Sequence, residues 1–329
     1  MRIAVLGAGA MGSIYAGHLS KNNHVILIDT NKELVEKINK DGVFLEEKGE
    51  KNNYRPQAYY DTRDLEPVDL MIVFVKSIFS ELAIEQNKHL ISDKTLLMSL
   101  QNGAGHGEIL NKFVSDDRVV LGTTEDNGAV LDLGFIRHGG EGKTNLGAYA
   151  KDNSIDFEEL KSCFEGADFK INIEENIQQL IWNKIITNAS LSVLTGILQV
   201  SIGHIARNEY SWKLCQKLIG EILEVGRAQG LSFDTESEIE KVKEVSINNP
   251  DGYTSIYADI KNGRKTEVDT ISGAIVKAGE KFGVKTPYSE MAVDLIHALE
   301  LKTLSEKEKK WFLQVYTATI KVKVFTLYY

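Results

Sequence analysis

The sequence predicts an α/β N-terminal domain with a mainly parallel sheet over residues 1–174, followed by an all-α C-terminal domain over residues 175–302. Three observations carry this reading. Short apolar runs alternate with helical periodicity up to about residue 150, the pattern of strands joined by crossover helices. A glycine-rich turn follows the first of these runs, and from Glu175 onward long helical patterns replace the strands. At 329 residues the chain exceeds the usual size of one hydrophobic core, so two domains with a cleft between them are the natural organisation.

Ile3 to Leu6 is an apolar run closed by Gly7, and Met11 to Leu19 follows with helical spacing, Tyr15 and Ala16 extending its buried face. His24 to Ile28 reads as a second strand, Glu33 to Ile38 as a helix, and Leu70 to Val75 as a strand covered on both faces. Thr95 to Leu100 and Val119 to Gly122 repeat that pattern, while Phe135 to His138 and Thr144 to Leu146 read as short closing strands. In the second domain helical patterns cover Ile177 to Leu198, Tyr210 to Gln229 and Glu236 to Val245, the middle one stopped by Gly230. Tyr253 to Lys261, Glu267 to Phe282 and Ser289 to Leu301 complete the set, with Pro287 fixing the turn before the last. Residues 303–329 form a tail of unassigned role; within it Trp311 to Tyr329 breaks the helical scheme, because KVKVFTLYY alternates like a strand.

Composition removes several classes. A hydrophobic fraction of 43% is enough for a packed core and argues against a disordered chain. The net charge of -9 argues against a nucleic-acid partner, since phosphate backbones are held by clustered Lys and Arg. Cys163 and Cys215 lack CxxC spacing, and the seven histidines form no HExxH or other ligand pattern, so neither a disulfide framework nor a metal is expected. No apolar run approaches the roughly 20 residues that span a bilayer, and Met1 leads through Arg2 into the first strand, which predicts a cytoplasmic protein without a membrane partner.

Gly7-Ala8-Gly9-Ala10-Met11-Gly12 is GxGxxG placed between a strand and a helix, the context in which the motif binds a dinucleotide and the domain is Rossmann-like. Gly7 permits the tight turn, Gly9 lets the backbone approach a pyrophosphate, Gly12 lets helix and strand pack, and the helix N-terminus offers N–H groups and a positive dipole. Without a ligand the same turn would serve packing alone. Asp29 ends the second strand about 20 residues further on, where a carboxylate bonds both adenosine ribose hydroxyls and favours NAD over NADP. Two features compete with that reading: Lys32 lies close enough to soften the charge, and Asp29 also suits the cap of a helix beginning near Asn31.

Hydride transfer to a carbonyl builds an alkoxide, which needs a cation or acid at the oxygen. Lys184, Asn188 and Ser192 are spaced by four and form a polar row on one face of an otherwise apolar helix. The row suits a cleft; it also suits a solvated helix face. A second polar set comprises Thr254, Ser255, Asp259 and the run Lys265 to Asp269, where one acidic residue fits the task of fixing the lysine ammonium. Asn102-Gly103 follows the fourth apolar run, at the carboxyl end where open parallel sheets place ligands.

Several separated stretches, IAVLGAGAMGS, VKS, LQNGAG, GTT with HGGEGKTNLG, WNKIITNA and TSIYADIKNGRKTEVD, occur in one order along the chain. In these the sequence resembles the ketopantoate reductase (2-dehydropantoate 2-reductase) family, from residue 1 to about 302. The resemblance implies reduction of 2-dehydropantoate to D-pantoate in pantothenate biosynthesis, by hydride transfer from a nicotinamide cofactor that is habitually NADP. It places the family's proton-donating lysine on Lys184, its glutamate on Glu267, its substrate-binding asparagine and serine on Asn188 and Ser255, and its cofactor-side asparagine on Asn102. Lys76 matches the family lysine that reaches cofactor or substrate as the domains close.

Two positions depart from the family pattern. Ser192-Val193 stands where the family often has Asn-Pro, and Ser272-Gly273 where it has Asn-Gly, so a shorter hydroxyl reshapes the substrate row. With Asp29 in place of a basic NADP reader, these departures raise a sister reading: an NAD-dependent D-2-hydroxyacid dehydrogenase of the mandelate type. A non-catalytic nucleotide-sensing module is a third reading, against which Lys184 and Glu267 stand. A homodimer is an expectation from the general habit of soluble enzymes.

Overall fold

The computed structural model describes residues 1–140 and 142–302; the alternating stretch at 311–329 lies outside the described residues. Contacts divide the chain into two compact units, Met1–Asn183 and a second beginning at Lys184.

The first unit runs β1 (Arg2–Leu6), α1 (Ala10–Leu19), β2 (His24–Ile28), α2 (Lys32–Asp41), β3 (Val43–Glu47), β4 (Glu50–Tyr54), β5 (Gln57–Tyr59) and β6 (Val68–Val73). It continues with α3 (Ser80–Gln86), β7 (Ile91–Ser99), α4 (His106–Leu110), β8 (Val119–Thr124), β9 (Asn127–Asp132), β10 (Phe135–Gly140), β11 (Lys143–Ala148), α5 (Phe157–Glu165) and β12 (Lys170–Ile173). Eight strands form one sheet in the order β12-β11-β8-β7-β6-β1-β2-β5, and every neighbouring pair is parallel except β11 against β8. β1 lies inside this sheet with Ile3, Ala4 and Val5 wholly buried, which is why its sequence is an unbroken apolar run rather than an alternation.

Phe135 to His138 does not lie beside Thr144 to Leu146 in that sheet. It belongs to β10, in a separate four-stranded sheet of order β4-β3-β10-β9. The periodicity of this second sheet is hard to read because β4, EKNNY, is polar throughout and β9 is mostly exposed. Its strands pack on α1, whose other neighbours are β1 and β2, so every residue from Gly12 to Leu19 is buried. A helix that is apolar all round is one enclosed all round.

The second unit is helical. α6 (Ile177–Thr187) crosses its boundary and is followed by α7 (Val193–Leu198), α8 (Ile202–Arg207), α9 (Glu209–Ala228), α10 (Thr235–Asn248), α11 (Ser255–Lys261), α12 (Val268–Phe282) and α13 over 287–302. α9 supplies much of the core through Cys215, Leu218, Ile219, Ile222, Leu223 and Val225, and Gly230 at φ +84° ends it. The buried Glu221 of this helix accepts from the N–H groups of Tyr288 and Ser289 and from the Ser289 hydroxyl, satisfying the orphan donors at the start of α13. The helical pattern from Ile177 to Leu198 is present in extent but carries a π turn at Asn188–Ser192. Inside that turn the Ser190 hydroxyl donates to the Ile186 carbonyl at 2.6 Å, competing with the backbone for the same acceptor.

Candidate functional site

The glycine turn uses its glycines in different ways. Gly7 sits at φ +99° with its N–H on the Ile28 carbonyl at 2.8 Å, and a Cβ there would lie 2.9 Å from the Val75 nitrogen. A Cβ on Gly12 would lie 1.9 Å from the Gly7 carbonyl oxygen, so this glycine serves helix-to-strand packing. Gly9 is unlike both: it is exposed, and nothing lies within 4 Å of where a Cβ would be. No side chain caps α1, which leaves its first-turn N–H groups for an anion. The residues present therefore fit a dinucleotide pyrophosphate. Gly9→Ala is expected to leave the melting temperature unchanged while weakening dinucleotide binding about tenfold or more, roughly 1.4 kcal/mol. Titration of the purified variant checks this, and an unaltered affinity would show that the pyrophosphate is held elsewhere.

Asp29 Oδ2 accepts from the Ala8 N–H at 2.8 Å and Oδ1 from the Asn31 N–H at 2.9 Å. The idea that Asp29 caps the following helix is corrected here: Asn31 is the N-cap of α2, accepting from the Leu34 N–H. The carboxylate is instead fixed against the glycine turn, and each oxygen retains a lone pair for a further donor. Lys32 Nζ lies over the ring of Tyr60, 4.8 Å from its centroid.

Lys76 and Asn102 follow β6 and β7, adjacent parallel strands, at their carboxyl ends. Lys76 is half-buried at the start of a 3₁₀ turn; Asn102 is exposed, and the His106 ring bonds its carbonyl at 3.0 Å. Gln101 links the two loops: its Nε2 donates to the Val75 carbonyl at 2.6 Å and to the Ser80 hydroxyl at 2.9 Å. The sequence reading did not single out Gln101, and its one signal was adjacency to Asn102.

In the second unit Lys184 and Asn188 are half-buried and Ser192 is buried. The expected α-helical row from Lys184 through Asn188 to Ser192 meets the π turn at its second step, where i→i+5 bonding winds each residue through a smaller angle than in an α-helix. α11 and α12 both pack against this turn. Thr254 caps α11 by accepting from the Tyr257 N–H, and its hydroxyl lies 2.7 Å from that of Thr195 on α7, which fixes the neighbouring Ser255.

Glu267 occupies the N-cap position of α12 and follows an anchored residue: the Thr266 N–H and hydroxyl both donate to Glu300 at 2.7 Å. His297 bonds Glu300 at 2.9 Å and Asp269 at 3.1 Å. Burial works against the charge of Glu300, but the bonds from Thr266 and His297 outweigh it and hold the carboxyl below its usual range. The Glu300 bond in turn raises the His297 pKa, with Asp269 adding to it. Of the acidic residues in this polar set, Asp259 accepts from Arg264 and Asp269 faces His297. The Ser272 hydroxyl is buried with no hydrogen-bond partner among the described residues.

The family model "Ketopantoate reductase PanE/ApbA" matches residues 3–151, and "Ketopantoate reductase PanE/ApbA C terminal" matches residues 176–300. A 2-dehydropantoate 2-reductase of Archaeoglobus fulgidus is 30% identical over 300 residues, covering 91% of this chain and 98% of that protein. Among solved structures, D-mandelate dehydrogenase with NADH and anilino(oxo)acetate superposes with a TM-score of 0.84 at 28% identity, covering 92% of this chain and 99% of that one. A putative 2-dehydropantoate 2-reductase from Enterococcus faecalis superposes with a TM-score of 0.77 at 29% identity and the same coverage, 92% and 99%. Fold, glycine turn and these matches together define an NAD(P)-dependent 2-keto acid reductase. The chain belongs to the ketopantoate reductase family. No helix among its described residues is long and apolar enough to cross a membrane.

Proposed function

We propose that this chain reduces 2-dehydropantoate to D-pantoate, in the cytoplasm and within pantothenate biosynthesis. The observation that carries the reading is the alignment with a 2-dehydropantoate 2-reductase over 91% of the chain, through the stretches that hold Lys184, Asn188, Ser255 and Glu267. A bound nicotinamide dinucleotide supplies the hydride. Gly7 to Gly12 receive its pyrophosphate and Asp29 its ribose, with Lys76 and Asn102 on the same side. The Lys184 ammonium stabilises the growing charge on the keto oxygen and gives it a proton. Glu267 orients that ammonium and the product hydroxyl, while Asn188, Ser192 and Ser255 hold the keto acid.

Asp29 and the NADH bound in the D-mandelate dehydrogenase structure favour a second reading, an NAD-dependent D-2-hydroxyacid dehydrogenase. Steady-state kinetics with ketopantoate, phenylglyoxylate and 2-ketoisocaproate, each with NADH and NADPH, separates the two. Ketopantoate is expected to give the highest kcat/KM. A clear preference for phenylglyoxylate overturns the first reading for the second, and nucleotide binding without turnover of any keto acid would indicate a sensing module.

A further inference from the structure

The first unit contains a cavity of about 760 Å³ whose lining includes His18, Glu47, Tyr54, Asp126, His138 and Asp168 and no residue of the glycine turn. Three of these bring ligand atoms together: one ring nitrogen each of His18 and His138 and a Glu47 carboxylate oxygen all lie within 4.8 Å of one another. They come from α1, β3 and β10, so one ligand is on the enclosed helix and two are on the small sheet that packs against it. Glu47 Oε1 is 2.6 Å from His18 Nε2 and 2.9 Å from His138 Nδ1.

The surroundings are arranged as an outer shell. Asp126 bonds the far nitrogen of His138, Nε2, at 3.1 Å, and Tyr15 and Thr124 hydroxyls hold that carboxylate. The second oxygen of Glu47 accepts from Asn52 at 3.1 Å and from the Tyr54 hydroxyl at 3.0 Å. A carboxylate behind a ligating histidine is the usual device for fixing its tautomer and raising its basicity.

The geometry points to a binding site for one divalent transition ion, Zn²⁺ by its chemistry, held by His18, Glu47 and His138 with a fourth position open to water in the cavity. Two imidazoles and a carboxylate with one open position form a zinc ligand set. Ligand atoms about a tetrahedral zinc at roughly 2.0–2.2 Å lie roughly 3.4 Å from each other, so the two short contacts to Glu47 open by less than about 1 Å and the two histidine nitrogens, within 4.8 Å of each other, adjust to that same spacing. Entry of the ion sends the proton between Glu47 and His138 Nδ1 to solvent and leaves Nε2–H on Asp126. His18 moves its proton from Nε2 to Nδ1, which breaks the 3.4 Å contact that Lys21 makes to that nitrogen, and Lys21 turns wholly to its 2.6 Å pairing with Asp168. The ion would staple α1, which begins at the glycine turn, to the small sheet. The sequence gives no sign of this site, because residues 18, 47 and 138 are too far apart to show a ligand spacing.

The test is equilibrium dialysis of the chelator-stripped full chain against Zn²⁺, with Co²⁺ as an optical probe. The wild type is expected to take up one Zn²⁺ per chain in a saturable step, and to give a Co²⁺ ligand-field spectrum that Zn²⁺ abolishes. His138→Gln keeps hydrogen-bonding groups between Glu47 and Asp126 but removes a ligand, and is expected to lose the step and the spectrum. Asp126→Asn is expected to weaken uptake about 10–100-fold. Circular dichroism checks the fold of each variant, and His18→Asn makes the same comparison should His138→Gln not fold. No saturable uptake by the wild type, or equal uptake by wild type and a folded ligand variant, overturns the proposal and leaves a hydrogen-bonded cluster only.

Discussion

Lys184→Ala is expected to lower kcat by about 10²–10⁴-fold, the range over which a positioned proton donor contributes to a reaction of this kind. The reason is differential: the ammonium matters most when the keto oxygen acquires negative charge, so its removal costs far more in the transition state than in the ground state. Dinucleotide affinity should remain near that of the wild type, since the glycine turn and Asp29 belong to the first compact unit and Lys184 begins the second. Lys184 is half-buried in the last turn of α6, directly before the π turn, and its loss leaves the apolar packing of Ile185 and Ile186 in place. A melting curve close to wild type is therefore part of the expected result. Single-turnover measurement of hydride transfer, followed by loss of nicotinamide absorbance, isolates the chemical step from product release. An unchanged rate in a folded Lys184→Ala protein would remove lysine from the mechanism and shift the search to Lys76.

What could be read in the sequence was local. Gly7 to Gly12 announces itself because a turn, a strand end and a helix start lie within a few residues, and Asp29 follows from the length of one strand-helix-strand unit. The Lys184, Asn188, Ser192 spacing is also a local signal, but the π turn at Asn188–Ser192, inside which the Ser190 hydroxyl bonds the Ile186 carbonyl, is not encoded in residue spacing. Phe135 to His138 was legible as a strand but not as part of a second sheet, since β4 and β9, the two edge strands of that sheet, lack an apolar alternation. Tertiary contacts were the least accessible. Glu300 reaches Thr266 across 34 positions to anchor the residue before Glu267, and Glu47 meets His138 across 91. Polar residues at such separations look like ordinary surface until the fold brings them together.

Asp29 carries the prediction on cofactor choice, and the expected result is a preference for NADH. The carboxylate is not a loose surface group: the Ala8 and Asn31 N–H groups hold one oxygen each, fixing both beside the turn where a ribose would lie. In that position it can accept from two ribose hydroxyls of NADH. NADPH replaces one hydroxyl by a phosphate of charge near -2, which removes a hydrogen bond and adds repulsion. At an effective dielectric of about 20, a unit-charge pair roughly 4 Å apart is worth about 4 kcal/mol, and although water and salt screen much of this, about 1.4 kcal/mol suffices for tenfold discrimination. Lys32 offers the 2′-phosphate its most obvious cationic partner, but its ammonium rests over the Tyr60 ring. Asp29→Asn should narrow or reverse the preference. The amide retains only one acceptor oxygen, so either Ala8 or Asn31 loses its partner and binding of both cofactors weakens through the turn; the informative quantity is consequently the ratio of kcat/KM for NADH to that for NADPH, in which this shared loss cancels. A fall of about tenfold or more in that ratio is expected. Equal or better kcat/KM with NADPH in the wild type would show that Asp29 serves the glycine turn alone and that the 2′-phosphate is accommodated by other residues.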